Sequence, residues 1–246
     1  MFLKVESLTK SFGALMAVNN VNIEVAKGEL VAIIGPNGAG KTTFFNLLTG
    51  YFPADSGKIL FNGEDITKLS SDQIIRRGVG RSFQVVNIYP DMSVFESIQM
   101  TFLAGKRRTY DIFSPAKKIY REDTERILEM VGLSELADIP GGLLSHGDKK
   151  RLEMGMILAN KVEFILLDEP TAGMAPEETA ATMSLIKKFA ERENLTMLFT
   201  EHDMSIVFDW AKRIAVMYQG QIIADSTPEE IKKNPTVREV YLGEKK

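Results

Sequence analysis

Three short runs of consecutive apolar residues stand out along the chain. They cover Leu30 to Ile34, Phe164 to Leu167 and Met197 to Thr200. Strands of a parallel sheet have this composition, because helices cover both faces of the sheet and few side chains reach water. The runs therefore predict the central strands of a parallel sheet that is covered on both sides.

A second set of segments alternates apolar and polar residues. In the N-terminal part these are Phe2 to Ser7, Val18 to Val25 and Lys58 to Asn62, separated by Gly and Asn turns. Near the C-terminus, Ile214 to Tyr218 and Gln221 to Ala224 flank a glycine. Alternation is typical of strands with one buried face. It predicts several half-buried strands early in the chain and a hairpin near its end.

Helical character fills much of the long interval between the first two apolar runs. Val94 to Leu103, Arg121 to Val131 and Arg151 to Leu158 predict helices there. After the second run, Glu178 to Arg192 has apolar residues at helical spacing, and Pro228 suits the first position of a short helix. Strands and helices together indicate an α/β fold.

Composition narrows the class of protein. A chain of 246 residues fits one domain with a subdomain, and its net charge of −3 argues against a nucleic-acid partner. The absence of Cys excludes disulfides and thiolate chemistry and fits a reducing compartment. No apolar run approaches the ~20 residues that span a bilayer, and the N-terminus does not resemble a signal peptide. A role at a membrane would need a separate spanning chain.

The first apolar run leads directly into a glycine-rich loop that matches G-x-x-x-x-G-K-[ST]. A helical stretch follows it, which is the order that phosphate binding requires: backbone N–H groups and the helix N-terminus surround the phosphates. Lys41 is expected on the β- and γ-phosphates of ATP, and the Thr42 hydroxyl on Mg²⁺. The loop residues are Gly35, Pro36, Asn37, Gly38, Ala39, Gly40, Lys41 and Thr42, and Thr43 completes the predicted nucleotide-binding set.

The second apolar run ends in two acidic residues, Asp168 and Glu169. A parallel strand delivers its C-terminal end to the crevice where ligands bind. Asp168 is therefore expected to hold Mg²⁺ through water, and Glu169 to orient and deprotonate the attacking water. The alternative is a solvated acidic turn before Pro170.

A third motif, between the two apolar runs, resembles that of a specific protein family. Leu144 to Asp148, with the sequence Leu-Ser-His-Gly-Asp, resembles the signature sequence of ABC ATPases, usually written LSGGQ. Ser145 would also serve as a helix N-cap, and the two roles are compatible. The chain is identified as similar to ABC ATPases over nearly its whole length, and at its glycine–aspartate pair and C-terminal segment it resembles the ATP-binding subunits of branched-chain amino acid importers.

The resemblance implies roles for further residues. Gln84 corresponds to the glutamine that contributes to the Mg²⁺ site and links the nucleotide to the transmembrane partner. His202 corresponds to the histidine that contacts the γ-phosphate. Phe12 stands where an aromatic ring stacks on adenine, and Val18 is expected on the other side of the base. Ser145 and Gly147 face the nucleotide bound by a second subunit.

The resemblance also implies an architecture. We expect a phosphate-loop NTPase core with a mainly parallel sheet, an antiparallel β subdomain and a helical subdomain that carries the signature. Residues 1–246 would form one ABC ATPase domain, with the core in about 1–84 and 160–246 and the helical subdomain in about 85–159. The partners would be transmembrane permease subunits, a second ATP-binding subunit and, indirectly, a substrate-binding protein. The location would be peripheral, on the cytoplasmic face of the inner (plasma) membrane.

Departures and alternatives remain. His146 and Asp148 replace Gly and Gln of the signature, and Ala175 stands where relatives carry Asp or Asn, which bears on coupling between the two sites. The basic segment 105–118 is either a solvated loop or a contact to a partner or to anionic lipid. A non-transport ABC ATPase is the alternative function; a small-molecule kinase or GTPase would leave the signature unexplained.

Overall fold

A computed structural model describes residues 2–82, 88–105, 120–160, 162–174 and 176–242. The strands are β1 (Leu3–Phe12), β2 (Leu15–Val25), β3 (Leu30–Ile34), β4 (Ser56–Phe61), β5 (Glu64–Asp65), β6 (Val79–Ser82), β7 (Phe164–Asp168), β8 (Thr196–Thr200), β9 (Arg213–Tyr218) and β10 (Gln221–Ser226). The helices are α1 (Lys41–Leu48), α2 (Ser71–Ile75), α3 (Val94–Gly105), α4 (Arg121–Met130), α5 (His146–Ala159), α6 (Pro176–Arg192), α7 (Met204–Trp210), α8 (Pro228–Lys233) and α9 (Pro235–Leu242).

The larger sheet has six strands in the order β10-β9-β3-β8-β7-β6. All neighbouring pairs from β9 to β6 are parallel, and β10 pairs antiparallel with β9. Every residue of β3, β7 and β8 is buried. The predicted parallel sheet and its three central strands are confirmed.

Alternate residues of the central strands face two separate hydrophobic cores. In β3, Leu30, Ala32 and Ile34 pack with the helices α3 to α8 on one side of the sheet. Val31 and Ile33 pack on the other side, with α1 and the N-terminal strands. Continuous apolar runs are required because each strand contributes to both cores.

The smaller sheet has the order β2-β1-β4-β5 and is antiparallel throughout. It covers one face of the larger sheet, where Phe2 and Phe61 lie against Phe164 of β7, with ring centroids 6.2 and 6.1 Å apart. The expected antiparallel unit is confirmed. Its hairpin between β1 and β2 lies beside the phosphate loop, because Gly220 N–H donates to Ala39 O and Asn19 N–H donates to Gly220 O.

Helices α3, α4 and α5 pack together around Gly155. A methyl group at this position would lie 3.1 Å from Ile98 and 3.3 Å from Ile127, so the glycine permits the close approach of α5 to α3 and α4. This packing fits the expected helical subdomain, whose boundaries stay a prediction. Each helix in the described ranges is too short or too polar to span a bilayer.

Two short elements of the structure were not predicted from the sequence pattern. The pattern did not indicate β6, a strand of four residues that contains glycine and arginine, or α7 with seven residues. Both are too short for a period to be recognised. Strand β6 exists because it pairs in register with β7 from Val79 to Ser82.

Candidate nucleotide-binding site

The phosphate loop runs from the end of β3 to the start of α1, as predicted. Gly35, Gly38 and Gly40 have φ angles of 156°, 80° and 103°. A methyl group at Gly35 would lie 2.1 Å from the carbonyl oxygen of Met217, and one at Gly40 would lie 2.2 Å from that of Ala17. Glycine is therefore required at both positions for conformation and for space.

Lys41, the first residue of α1, folds back over the loop. Its Nζ donates to the carbonyl oxygens of Gly35 at 2.5 Å and Pro36 at 3.1 Å. Burial lowers the pKa of Lys41 below the ordinary value of 10.5, and the nearby carboxylates of Glu169 and Asp168 oppose that shift. The ammonium group is thus held at the loop and near two acids.

A cavity of about 480 Å³ opens over the loop. Its volume suits a nucleotide, since ligand pockets are typically ~300–1,000 Å³. Thr42, which is exposed, and Glu169 both line it. The lining residues are Leu15, Met16, Ala17, Asn37, Gly38, Ala39, Gly40, Lys41, Thr42, Thr43, Glu169 and Gln219.

Strand β7 ends at the same edge of the sheet. Asp168 is buried, and its Oδ1 accepts a hydrogen bond from Thr200 Oγ1 at 2.7 Å. Glu169 has a left-handed φ of 51°, which is uncommon for a residue with a side chain. Its N–H donates to the carbonyl oxygen and the hydroxyl of Thr200, both at 3.1 Å. These bonds hold the strained residue, whose conformation costs on the order of 1–3 kcal/mol.

Glu169 and His202 form a close pair. His202 Nε2 donates to Glu169 Oε1 at 2.8 Å, which requires the tautomer with a proton on Nε2. The His202 side chain is 50% exposed and that of Glu169 is 18% exposed. Of the two residues, Glu169 lines the phosphate-loop cavity. A carboxylate in contact with an imidazole can position water there and exchange protons with it.

Glu201, which sequence reasoning did not single out, lies buried behind this pair. Its Oε1 accepts from Thr171 N–H at 2.9 Å and from Thr171 Oγ1 at 2.7 Å, and its Oε2 accepts from His202 N–H at 3.2 Å. Burial raises the pKa of the Glu201 carboxyl above its ordinary value, although the hydrogen bonds oppose the shift. The sequence signal that could have indicated Glu201 was an acidic residue next to His202. Its burial, however, depends on the fold.

The signature residues begin α5. Ser145 is its N-cap, with Oγ accepting from Asp148 N–H at 3.1 Å, as predicted. Gly147 is buried in the first turn, and His146 Nε2 lies 3.2 Å from the carbonyl oxygen of Ala172, in the loop after β7. Neither Ser145 nor Gly147 is among the described residues that line the phosphate-loop cavity.

Phe12 is 43% exposed at the end of β1, edge-on to Phe52 at 5.3 Å between ring centroids. Its stacking on adenine stays a prediction. Val18 is fully buried in the core and is not among the residues that line the cavity, and its contact with the base stays a prediction. Among the described residues that line the cavity, the large apolar side chains are Leu15 and Met16, which precede Val18 on β2 and which sequence reasoning did not single out.

Some expectations concern residues that the structure does not describe. Gln84, Ala175 and residues 106–118 lie outside the described ranges. The role of Gln84 in Mg²⁺ binding, the effect of Ala175 on coupling and the contact made by the basic segment stay predictions.

The residues around Asp168 suit a Mg²⁺ ion whose other ligands are waters and substrate phosphates. They suit less well an ion that protein side chains alone would enclose. Among residues 2–82, 88–105, 120–160, 162–174 and 176–242, no group of three or more His, Cys, Asp or Glu side chains could enclose a metal ion. Mg²⁺ normally binds through one or two carboxylates together with waters and substrate phosphates. A buried carboxylate at Asp168 and an exposed hydroxyl at Thr42 match that requirement.

Comparison with known proteins agrees with this geometry. The family described as "ABC transporter" matches residues 18–172, and the one described as "Branched-chain amino acid ATP-binding cassette transporter" matches residues 221–246. The branched-chain amino acid transport ATP-binding proteins BraF of Pseudomonas aeruginosa and LivG of Escherichia coli are each 40% identical, over 98% of both chains. A probable LivG of Archaeoglobus fulgidus is 37% identical over 98% of this chain and 95% of its own.

Solved structures show the same similarity. A nucleotide-free ATP-binding cassette from an ABC transporter has a TM-score of 0.85 at 34% identity, covering 99% of both chains. An ATP-binding cassette of an ABC transporter in its ADP conformation has a TM-score of 0.86, with the same identity and coverage. The glycine loop, the acidic strand end and the signature helix thus occur on a known cassette fold, and the chain belongs to the ABC transporter family as one of its nucleotide-binding ATPase cassettes.

Proposed function

We propose that this chain is the ATP-binding and ATP-hydrolysing subunit of an importer for branched-chain amino acids. The relatives BraF and LivG carry that transport role in their names, at 37–40% identity over almost the whole chain. The C-terminal match to the branched-chain cassette family supports the same substrate class. Separate permease subunits would form the pathway, a substrate-binding protein would deliver the amino acid, and the cassette would sit on the cytoplasmic face of the inner (plasma) membrane.

The observation that carries the proposal is the Glu169–His202 pair beside the phosphate loop, with 2.8 Å between Nε2 and Oε1. Glu169 orients the attacking water and accepts its proton, and His202 holds Glu169 and reaches toward the γ-phosphate. Lys41 leaves the loop carbonyls and places its charge on the phosphates. Phosphoryl transfer needs an in-line water and positive charge on the phosphate oxygens, and these residues supply both.

ATP would bind with Mg²⁺ on the phosphate loop. Thr42, Asp168 and Gln84 would hold the ion, which supplies charge that neutralises the phosphate oxygens. Asp168 is oriented for this role by the Thr200 hydroxyl. Phe12 and the exposed apolar residues of the adjoining hairpin would contact the adenine.

Two copies, or this chain and a second cassette, would complete each site. Ser145 and Gly147 lie away from the chain's own phosphate-loop cavity, whereas an exposed helix N-terminus such as that of α5 suits a phosphate. In a dimer, α5 of one subunit would face the γ-phosphate held by the other. Hydrolysis removes the group that joins the subunits, the dimer opens, and the permease receives that movement through the surface near Gln84.

The first prediction tests this proposal with Glu169→Gln. The variant is expected to bind ATP and to hydrolyse it at least ~10²-fold more slowly, because the amide cannot accept the proton from water. It should also form a dimer in ATP, since the step that separates the subunits is lost. The measurements are phosphate release and size-exclusion chromatography with light scattering, each with and without ATP.

Glu163→Gln is the matched control, because Glu163 directly precedes the same strand and pairs with Lys27 at the surface. It should hydrolyse ATP at the wild-type rate and dissociate normally. An unchanged rate in Glu169→Gln would show that Glu169 is not the base. Uptake of labelled leucine, isoleucine and valine by cells that carry Glu169→Gln should fall to the level of cells without the gene; unchanged uptake would contradict the transport role.

A further inference from the structure

A buried arginine occupies the position between the acidic strand end and the phosphate-loop helix. The side chains of Arg81, at the end of β6, and of Asp168 are 7% and 5% exposed, and Nη2 lies 3.1 Å from Oδ2. Nη1 of the same guanidinium donates to Oδ1 of Asn46, on α1, at 2.5 Å and lies 3.4 Å from Oγ1 of Thr49, the residue that caps the C-terminus of α1. Its Cζ is 5.9 Å from the ring centroid of Phe45.

Both oxygens of Asp168 are therefore engaged. Oδ1 accepts from Thr200 and Oδ2 accepts from Arg81. A charge pair away from water interacts strongly, because little solvent screens it. A divalent cation that approaches Asp168 would meet a fixed positive charge that already holds one of the two oxygens.

Other charges near the pair increase the effect. Lys41 is also buried, and it lines the phosphate-loop cavity together with Glu169. Among the described residues, Arg81 and Lys41 thus bring two buried cationic side chains to the region of Asp168 and Glu169. Nucleotide phosphates, which would draw Lys41 away, supply the negative charge that a divalent cation needs.

We propose that Arg81 is a positioning residue that sets the Mg²⁺ affinity of the site by competing for Asp168. This inference rests on the proposed function, because it takes Asp168 as the residue that binds the ion. The guanidinium holds the carboxylate in place when no ion is bound and weakens the binding of the ion. Arg81 thereby makes the metal depend on the nucleotide phosphates.

The test measures metal binding without hydrolysis. Mn²⁺, which prefers the same oxygen ligands as Mg²⁺, is titrated into the protein with saturating ADP, and free Mn²⁺ is followed by electron paramagnetic resonance. ADP affinity in EDTA is measured in parallel. Arg81→Met, which removes the charge, is expected to bind Mn²⁺ at least ~10-fold more tightly, because a buried repulsive charge is gone. Arg81→Lys should retain the wild-type affinity.

Asn46→Asp is a second variant that keeps Arg81 and Asp168 and so serves if Arg81→Met fails to fold. Its new carboxylate would pair with Nη1 and weaken the hold of Arg81 on Asp168, so Mn²⁺ should again bind more tightly. Arg77→Met is the control, because Arg77 forms a partly exposed ion pair with Glu64 at 2.7 Å and neither residue lines the phosphate-loop cavity. It should leave the Mn²⁺ affinity unchanged.

The outcomes separate this inference from the proposed function. Tighter Mn²⁺ binding in Arg81→Met and Asn46→Asp, with wild-type binding in Arg81→Lys, supports competition. Unchanged or weaker Mn²⁺ binding in folded Arg81→Met, with ADP affinity in EDTA intact, overturns it and leaves the proposed function standing. A wild-type protein that binds no ADP would remove the proposed function, and this inference with it.

Discussion

Gly40 carries two constraints at one residue. Its φ of 103° is strained for any residue with a side chain, and a methyl group would lie 2.2 Å from the carbonyl oxygen of Ala17 on β2. Gly38, two residues earlier in the same loop, has a φ of 80° but open space around it. Comparing substitutions at Gly38 and Gly40 therefore separates the cost of backbone strain, which both share, from the cost of close packing, which only Gly40 has.

We predict that Gly40→Ala lowers the free energy of unfolding by about 1–3 kcal/mol more than Gly38→Ala does, the cost of overpacking against fixed backbone. Urea denaturation of the two variants and the wild type measures the difference. Equal losses in both variants would show that the conformation alone, and not the contact with Ala17, requires glycine at position 40.

At the scale of elements, β7 and β8 end side by side and bring acids from distant parts of the sequence together. Asp168 is the last residue of β7 and Glu169 follows it, while Glu201 and His202 follow β8. Glu201 joins the two strand ends, because one carboxylate accepts from Thr171 after β7 and from His202 after β8. The arrangement of Glu169 and His202 thus depends on a buried carboxyl group that does not line the phosphate-loop cavity.

The burial of Glu201 predicts a specific pH dependence of stability. Its folded pKa is raised above the ordinary value of 4.5, so the folded state binds the proton more readily than the unfolded chain. The stability that the protonated carboxyl contributes is complete below pH 4.5 and is lost as the pH rises through the raised pKa. Relative to Glu201→Gln, the wild type should therefore become less stable as the pH rises above 4.5.

Denaturant unfolding of the two proteins at a series of pH values measures this difference, and titrations common to both proteins cancel in it. Glu169 lies close enough to raise the pKa of Glu201 further. The backbone N–H of His202 donates to the Glu201 carboxyl group. The comparison should be repeated in Glu169→Gln, where a smaller pH dependence is expected. A difference that stays flat with pH would contradict a raised pKa at Glu201.

At the scale of the whole molecule, the proposed composite site makes a prediction that no monomer model can reproduce. Lys41→Ala removes the phosphate contact within a chain, and Ser145→Arg disrupts the signature that one chain would offer to the nucleotide of a second chain. Ser145 is exposed in the single chain, so arginine can be accommodated there. Each variant alone is expected to be inactive, because both sites of its dimer carry the defect.

A mixture of the two variants should regain ATP hydrolysis. In a mixed dimer one site carries both defects and the other carries neither, so random pairing restores up to about a quarter of the wild-type sites in a two-fold dimer. Phosphate release from an equimolar mixture at high ATP measures this recovery. A mixture as inactive as its components would count against sites shared between subunits.

The sequence alone determined those features that local patterns encode. Leu30 to Ile34 and Phe164 to Leu167 are apolar at every position, because each strand serves two cores, so the parallel sheet could be predicted. The phosphate loop could be predicted because its glycines and its lysine stand at a fixed spacing. The glycines let backbone N–H groups surround the phosphates, and the lysine side chain reaches them. The N-cap role of Ser145 followed from its position before a helix.

The tertiary structure decided which side chains meet. Arg81 and Asp168 are far apart in sequence, and their contact depends on the register of β6 against β7, where Arg81 pairs with Leu166. No local sequence signal distinguishes the buried carboxyl of Glu201, which connects two strand ends, from an exposed acid. Val18 lies in the core because it is on the buried face of β2 in the antiparallel sheet. Hydrophobic period and turn chemistry act within a few residues, whereas charge pairing and burial depend on long-range register, and for that reason only the folded chain determines them.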